Sequence, residues 1–197
     1  MLVVIRHGSG LSSELGIVGG HGGCRGLSQK GRLEASAQGA KLKAMGVKLE
    51  LLGQSMILRS QETAVIIAPY LSAKLIEPSC GICELHPGPY DGQPVGSLPE
   101  SIDPYFNPDV PYLPGAERVS DLNNRVKSYI TDLAEYAVEH GAGIVTHLGV
   151  IRSIAEMTVG VDPELLVRAA SPASAWIFGP SKLPGKGLSF QLLGASR

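Results

Sequence analysis

The chain has 197 residues, of which 44% are hydrophobic and 18% charged, and its formal net charge is −1. This composition is typical of one globular domain with a substantial core. The charge balance argues against a polybasic surface for nucleic acid or for membranes, and no apolar run is long enough to span a bilayer. Because no basic and apolar leader is visible at the N-terminus, we expect a cytoplasmic protein.

A cationic residue and a histidine directly follow the first predicted strand. Leu2–Ile5 is a short aliphatic run that predicts a buried parallel strand, and Arg6, His7 and Gly8 follow it directly. Parallel sheets present functional groups beyond the carboxyl ends of their strands, and Gly8 would let the backbone turn sharply and approach a ligand. An isolated Arg-His-Gly is also typical of an ordinary strand end, so partners elsewhere must decide between the two interpretations.

A glycine-rich stretch follows, with seven glycines between positions 10 and 26. Such a stretch is too rich in glycine for a helix and is typical of a loop that is mobile or shaped to a ligand. Ser28 has the character of a helix N-cap, and a helix is predicted from Gln29 to Met45, ended by Gly46. Within it, Leu33, Ala37, Ala40 and Ala44 stand at roughly helical spacing.

The second predicted strand repeats the design of the first. Ser55–Leu58 is mostly apolar and ends in Arg59, and a helix is predicted from Gln61 to Leu71, with Ser72 as its end. A second buried strand would therefore carry an arginine at its carboxyl end. A further short strand is predicted at residues 74–77.

We predict a single domain that spans residues 1–197. Within it, residues 78–116 are expected to form an irregular lid or insertion. This segment contains nine prolines and no lysine or arginine. Irregular segments of this length are usually lids, binding loops or disordered regions. Four aromatic residues favour packing over disorder: Tyr90, Tyr105, Phe106 and Tyr112.

The rest of the chain alternates between helical and strand patterns. Alternation of this kind predicts an α/β fold, a three-layer α/β/α sandwich on a mostly parallel sheet. The apolar face of the longest predicted helix is formed by Val119, Leu122, Val126, Ile130, Leu133 and Ala137. The predicted elements are helices at 117–140, 150–159 and 162–170, and strands at 143–146, 174–178 and 188–193.

The three cysteines are Cys24, Cys80 and Cys83. An odd number of cysteines without a signal peptide argues against a disulfide framework. Cys80-Gly-Ile-Cys83 could be a redox pair, or could bind a metal together with His86, but a closed zinc site needs four ligands. Only the distant segment from His21 to Cys24 could complete such a site. We therefore expect reduced thiols, no metal, and a surface position for His21.

Three predicted strand ends carry cations or imidazoles, namely Arg6 with His7, Arg59, and His147. Because parallel strands end at one edge of a sheet, these four side chains can converge. Two arginines and two imidazoles repel one another unless an anion joins them, and arginine suits forked contacts with phosphate oxygens. The helix after His147 would add backbone N–H groups, including that of Leu148. The sequence therefore predicts a phosphate pocket.

Six short segments, spread over about three quarters of the chain, occur in the order of a known pattern. They are Val4–Gly8, Gly26–Gly31, Leu58–Ala64, Glu84–Gly92, Gly115–Glu117 and Val145–Arg152. Each match is modest, but the ordered set resembles the histidine phosphatase superfamily, whose fold is also called phosphoglycerate mutase-like. Leu58–Ala64 is similar to the family's S-x-x-x-R-x-x-x-T-A segment, and Glu84–Gly92 keeps the spacing of its acid loop.

The resemblance implies three catalytic residues. His7 would be the nucleophile that forms a phosphohistidine, and Glu84 would protonate the leaving oxygen and later activate water. His147, with Arg6 and Arg59, would hold the oxygens of the transferring phosphoryl group. The resemblance implies no metal and no cofactor, because side chains supply the positive charge.

Two departures from the family pattern bear on the substrate. Ser13 stands where members that act on sugar phosphates often have Asn, so any contact with phosphate would come from a hydroxyl. The stretch from Leu75 to Glu117 also lacks the arginines with which cofactor-dependent mutases hold a second anionic group. We therefore expect a phosphomonoesterase that acts on a small monoester with a neutral, aromatic or cationic leaving group.

Two alternatives stay open, a phosphoglycerate mutase-type transfer and a non-catalytic module that binds a phospho-ligand. His86 could tune Glu84, contact the substrate, or be an ordinary loop histidine. The sequence names neither the substrate nor the oligomeric state.

Overall fold

The computed structural model describes residues 1–101, 103–158, 160–180 and 190–196. Its centre is a six-stranded sheet with the order β3-β2-β4-β1-β5-β6. The strands are β1 (Leu2–Arg6), β2 (Leu51–Gln54), β3 (Lys74–Leu75), β4 (Ala142–Thr146), β5 (Ala175–Pro180) and β6 (Phe190–Ser196). The first four are parallel to one another, and β5 and β6 join antiparallel at one edge. The predicted mostly parallel sheet is confirmed.

Helices cover both faces of the sheet. They are α1 (Leu11–Glu14), α2 (Gln29–Ala44), α3 (Leu58–Leu71), α4 (Val119–His140), α5 (Leu148–Glu156) and α6 (Pro163–Ala169). Side chains of β1 alternate between the faces: Leu2 and Val4 join the core under α4 and α5, and Val3 and Ile5 join the core under α2 and α3. This arrangement confirms the predicted three-layer α/β/α sandwich. Among the described residues, no helix has the length and apolar character needed to cross a membrane.

The sequence pattern predicted the second strand at residues too far toward the C-terminus. Residues 55–58 are not a strand: β2 ends at Gln54, and α3 begins at Leu58, three residues before its predicted start. The reason is a local turn, in which the Ser55 N–H donates to Ser60 Oγ (3.0 Å) and leaves Met56 and Leu58 exposed. Arg59 therefore lies in the first turn of α3 and not at the end of a strand.

The buried face of α2 is not formed by the residues that show its helical spacing in the sequence. Leu33 is 68% exposed, whereas Ala35, Gly39 and Leu42 are buried. Gly39 allows α2 to pack closely against α3, because a Cβ at this position would lie 2.5 Å from the ring of Tyr70. Ser28 caps the helix as predicted, accepting a hydrogen bond from a backbone N–H (3.2 Å).

The remaining predicted elements hold, with shifted ends. All six positions predicted for the apolar face of α4 are buried. The helix after His147 begins at once at Leu148 and ends at Glu156, and the glycine-rich stretch contains the four-residue α1. The predicted strand at 74–77 is only Lys74–Leu75, and positions 159 and 188–189 of two predicted elements lie outside the described residues.

Residues 78–116 are called the acid loop below. Three short 3₁₀ turns are found there, at Cys80–Ile82, Gly88–Tyr90 and Val95–Ser97. Its described residues, 78–101 and 103–116, contain no α-helix and no strand of the sheet. The position of this segment is therefore set by side-chain contacts and by isolated backbone hydrogen bonds to the glycine-rich loop, such as Val18 N–H to the Gln93 carbonyl (2.8 Å), and not by strand pairing in the sheet.

Candidate active site

The register of two central strands brings two histidines together. Arg6 at the end of β1 pairs with Thr146 at the end of β4, and His7 N–H donates to the Thr146 carbonyl (2.9 Å). His7 and His147 directly follow these two paired residues and are therefore neighbours. Their ring centroids lie 4.9 Å apart. This convergence at one sheet edge is what the sequence predicts.

Arg59 reaches both imidazoles from the start of α3. Its Nε lies 2.9 Å from His7 Nε2, and its Nη2 lies 3.1 Å from His147 Nδ1. Nη1 donates to the Gly19 carbonyl of the glycine-rich loop. A guanidinium can only donate, so both contacted ring nitrogens must be acceptors.

This donor pattern fixes the tautomers of the two histidines. The Nδ1–H of His7 donates to the Gly8 carbonyl (2.6 Å), and the Nε2–H of His147 donates to Ser55 Oγ (2.6 Å). Burial is the main cause that holds the pKa of each histidine well below its ordinary value, and the charge of Arg59 lowers both further. Both rings are therefore neutral at pH 7, and His7 keeps a lone pair on Nε2, as a nucleophile requires.

Arg6 supplies the second guanidinium of the site. Its Nη1 donates to the Ala170 carbonyl, while its buried Nε has no hydrogen-bond partner among the described residues. A buried donor without a partner is costly, and an oxyanion would satisfy it. Arg6, His7 and Ser13 line one cavity of about 370 Å³.

Glu84 lies at the N-terminus of α5. Its Oε1 and Oε2 are 3.2 and 3.4 Å from Gly149 N, and Leu85 N–H also donates to Oε1 (3.0 Å). The glycine is needed here, because a Cβ at position 149 would lie 2.3 Å from Oε1. The carboxylate and His147 are thus held at the same helix end.

Arg125 of α4 holds the part of the acid loop that carries Glu84. Its guanidinium forms a two-pronged contact with Glu117, with Nε–Oε1 and Nη2–Oε2 distances of 2.7 and 2.9 Å. The same group donates to the carbonyl oxygens of Cys80, Cys83 and Glu84, at 2.8 to 3.0 Å. Arg125 was not among the residues predicted for the site, because no local pattern around it indicates this role.

A second cavity, of about 260 Å³, lies on the Glu84 side. Tyr105, Tyr112, Leu148 and Arg152 are among the residues that line it with Glu84. We call it the leaving-group cavity. Burial and the neighbouring Glu84 carboxylate raise the pKa of Tyr112 to about 12, so this phenol stays neutral.

Arg152 is a cation that the composition of the acid loop did not predict, because it comes from α5. Its guanidinium stacks on Tyr105 (3.9 Å to the ring centroid). It also pairs with Glu156 (3.4 Å) and Glu164 (2.6 Å). The charge of Arg152 is therefore already balanced by two carboxylates.

The residues that the sequence predicted for the site line two cavities, with Arg6, His7 and Ser13 on one and Glu84 and Leu148 on the other, and Arg59 contacts both His7 and His147. His86 lines neither cavity and instead faces Cys80 Sγ (3.3 Å). Ser55 and Thr63, which fix His147 and the Gly8 N–H, were missed, although both stand in the S-x-x-x-R-x-x-x-T-A pattern around Arg59.

Comparison with protein families agrees with this geometry. A family model described as histidine phosphatase superfamily (branch 1) matches residues 2–178. The chain belongs to the histidine phosphatase superfamily. A comparison with curated proteins finds no significant sequence match.

Solved structures of this superfamily's fold cover nearly the whole chain. A mycobacterial glucosyl-3-phosphoglycerate phosphatase is similar with a TM-score of 0.75 and 19% identity, over 98% of this chain and 97% of that one. A phosphoserine phosphatase from Entamoeba histolytica has a TM-score of 0.73 and 19% identity, over 98% and 95%. The α-ribazole phosphatase from Shigella flexneri has a TM-score of 0.74 and 21% identity, over 92% and 91%. At these identities the likeness shows the fold.

Proposed function

We propose that the protein is a metal-independent phosphomonoesterase that works through a phosphohistidine at His7. One observation carries this proposal: His7 is a neutral imidazole whose Nε2 accepts a hydrogen bond from Arg59 (2.9 Å) while Gly8 holds its Nδ1–H. A phosphate oxygen that takes over the Arg59 donor would place phosphorus in front of the Nε2 lone pair. Phosphatases among the structural neighbours support the same reaction class.

In the first step, the Nε2 lone pair of His7 attacks phosphorus and the bond between phosphorus and the ester oxygen breaks. Arg6 and Arg59 bind the non-bridging oxygens, where charge must be stabilised. His147 donates to the remaining oxygen once Arg59 has turned to the phosphate and the ring carries its proton on Nδ1, with the Ser55 hydroxyl then donating to its Nε2. Glu84, in its protonated form, gives its proton to the leaving oxygen, and the alcohol departs. Its contact with the Gly149 N–H, two residues after His147, supports a position beside the phosphate-binding residues.

In the second step, a water molecule replaces the alcohol. The Glu84 carboxylate takes a proton from this water as its oxygen attacks phosphorus, and the bond between phosphorus and Nε2 breaks. Inorganic phosphate leaves, and Glu84 is again protonated. No metal ion is needed in this scheme, because the two guanidinium groups supply the positive charge.

We propose a small-molecule monoester with a neutral or aromatic leaving group as substrate. The leaving-group cavity offers the rings of Tyr105 and Tyr112, and its cation Arg152 is paired with Glu156 and Glu164. A second phosphate or carboxylate would have to compete with those two carboxylates. The same observation favours hydrolysis over a mutase-type transfer.

The test is hydrolysis of p-nitrophenyl phosphate from pH 5 to 8, without added metal ions, by wild type, His7→Ala and the exposed-histidine control His140→Ala. We expect turnover in wild type and control and a loss of roughly 10⁴-fold in His7→Ala, with unchanged circular dichroism. An alkaline quench should trap phosphohistidine in wild type and not in His7→Ala. Activity of His7→Ala above about 1% of wild type would remove His7 as the nucleophile. Phosphate binding without turnover in wild type would instead favour a binding module.

A further inference from the structure

Four side chains that the phosphatase mechanism does not use meet beside the active site. They are His21 from the glycine-rich loop and Cys80, Cys83 and His86 from the acid loop. One ligand atom from each residue lies within 4.8 Å of every other. Two thiols and two imidazoles are a donor set that zinc prefers.

The measured distances fit a tetrahedral metal centre. Cys80 Sγ lies 3.7 Å from His21 Nε2 and 3.3 Å from His86 Nε2. With zinc–sulfur bonds of about 2.3 Å and zinc–nitrogen bonds of about 2.0 Å, a tetrahedral site places sulfur and nitrogen about 3.5 Å apart. The two observed separations bracket that value, so the four atoms can close around an ion with small movements.

The residues around His86 are arranged like those that orient a metal-binding histidine. Its Nε2 faces the cluster, while its Nδ1 lies 3.7 Å from Glu117 Oε2, and its backbone N–H donates to the same oxygen (2.9 Å). Histidine ligands commonly direct their second nitrogen toward a carboxylate, which fixes the tautomer and the ring orientation. Glu117 is itself held by Arg125.

We propose that His21, Cys80, Cys83 and His86 bind one structural Zn²⁺ ion. Binding would replace the thiol protons of Cys80 and Cys83, which pass to solvent, so two thiolates balance the charge of the ion. The site is closed, with four protein ligands and no open position for chemistry. The sequence alone favoured free thiols because His21 is 59 positions from Cys80, and only the fold brings it close.

The ion would join the two loops on which the proposed reaction depends. Glu84 stands between the ligands Cys83 and His86, and the Gly19 carbonyl, two residues before His21, accepts a hydrogen bond from Arg59. Zinc would therefore hold the acid loop at a fixed distance from the arginine that contacts His7. This consequence, unlike the metal site itself, rests on the proposed function.

Metal analysis of the purified full chain tests the site. We expect about one zinc per chain in wild type and less than about 0.1 in Cys80→Ser and in Cys83→Ser. Cys24→Ser is the matched control, because Cys24 packs in the same small apolar cluster but is not one of the four ligands. It should keep its zinc.

A second measurement does not depend on the variants folding. Wild type stripped with a strong chelator should regain roughly 10 °C in Tm on addition of zinc, and cobalt in its place should give the visible absorption of a tetrahedral thiolate site. Three results would each overturn the proposal. Wild type could bind neither ion, both Cys80→Ser and Cys83→Ser could retain zinc, or mass spectra could show a Cys80–Cys83 disulfide.

Failure here and failure of the phosphatase proposal are distinguishable. Zinc content and cobalt spectra are read without substrate, and His7→Ala should bind zinc as wild type does. If the phosphatase proposal alone failed, wild type would hold zinc and not turn over. If the zinc proposal alone failed, wild type would turn over without bound metal.

Discussion

The two halves of the candidate site are built in different ways. The phosphate-binding half, formed by Arg6, His7, Arg59 and His147, is attached to strand ends and helix starts. Glu84, in contrast, lies on the acid loop, whose described residues contain only short 3₁₀ turns. The first half is placed by the regular sheet and the helices that follow its strands, and the second is placed by isolated backbone hydrogen bonds and by side chains that reach across to a loop.

This difference predicts that the two halves fail differently. Removal of a side chain from the first half should change the chemistry and leave the fold, because the sheet register does not depend on it. Removal of a side chain that ties the acid loop to the rest of the molecule should both lower stability and displace Glu84. Arg125 and Asp91 are such ties, and Asp91 accepts three backbone N–H groups from Gly20, Gly22 and Gly23 at 2.7 to 2.9 Å.

The largest effect on stability is expected for Arg125→Met. This change leaves the Glu117 carboxylate, whose side chain is 11% exposed, without its partner, and frees the carbonyls near Glu84. Loss of one partner of a buried ion pair costs about 3 kcal/mol or more. Urea unfolding should show this loss, and Arg118→Met, at an exposed arginine next to the same helix, should change stability little. Equal stability of the two variants would contradict the proposed anchoring.

Glu84→Gln should separate chemistry from folding within the acid loop. An amide cannot protonate the leaving oxygen, so turnover of alkyl phosphates should fall by roughly 10²- to 10³-fold. p-Nitrophenolate leaves without much help, so its phosphate should lose less. Glu100→Gln, at an exposed carboxylate of the same loop, is the control. An equal loss for both substrate classes would remove Glu84 from the acid role.

The smallest effect is expected in the pH dependence of stability. The pKa of His7 is lower in the folded chain than the ordinary 6.5 of the unfolded chain, mainly because of burial. Below pH 6.5 the unfolded state therefore binds a proton that the folded state does not, and stability falls as the pH drops, by at most about 1.4 kcal/mol per unit. Above pH 6.5 this contribution is fully present.

Unfolding free energies at pH 7.5 and 5.5 measure this slope. The decrease should be smaller in His7→Asn than in wild type, whereas the exposed control His140→Asn should keep a steep decrease. Equal slopes in His7→Asn and wild type would show that His7 titrates alike in both states.

Local patterns predicted most of the fold because each element carries its own signal. The aliphatic run of β1, the cap at Ser28 and the apolar face of α4 depend on neighbouring residues only. Residues 55–58 were misassigned because their local signal is ambiguous. A short apolar run fits a strand or a first helical turn equally well. The hydrogen bond from Ser55 N–H to Ser60 Oγ decided between them.

By itself, the sequence determined that Arg6, His7 and His147 meet, because residues after parallel strands lie at one sheet edge, whereas Arg59 joins them from the first turn of α3. Only the tertiary structure decided which distant side chains serve the acid loop. Arg125 reaches its carbonyls, Arg152 enters the leaving-group cavity with its charge already paired, and His21 joins Cys80, Cys83 and His86. These contacts join segments that are far apart in the chain and follow no periodic pattern, so they exist only once the helices and loops have packed.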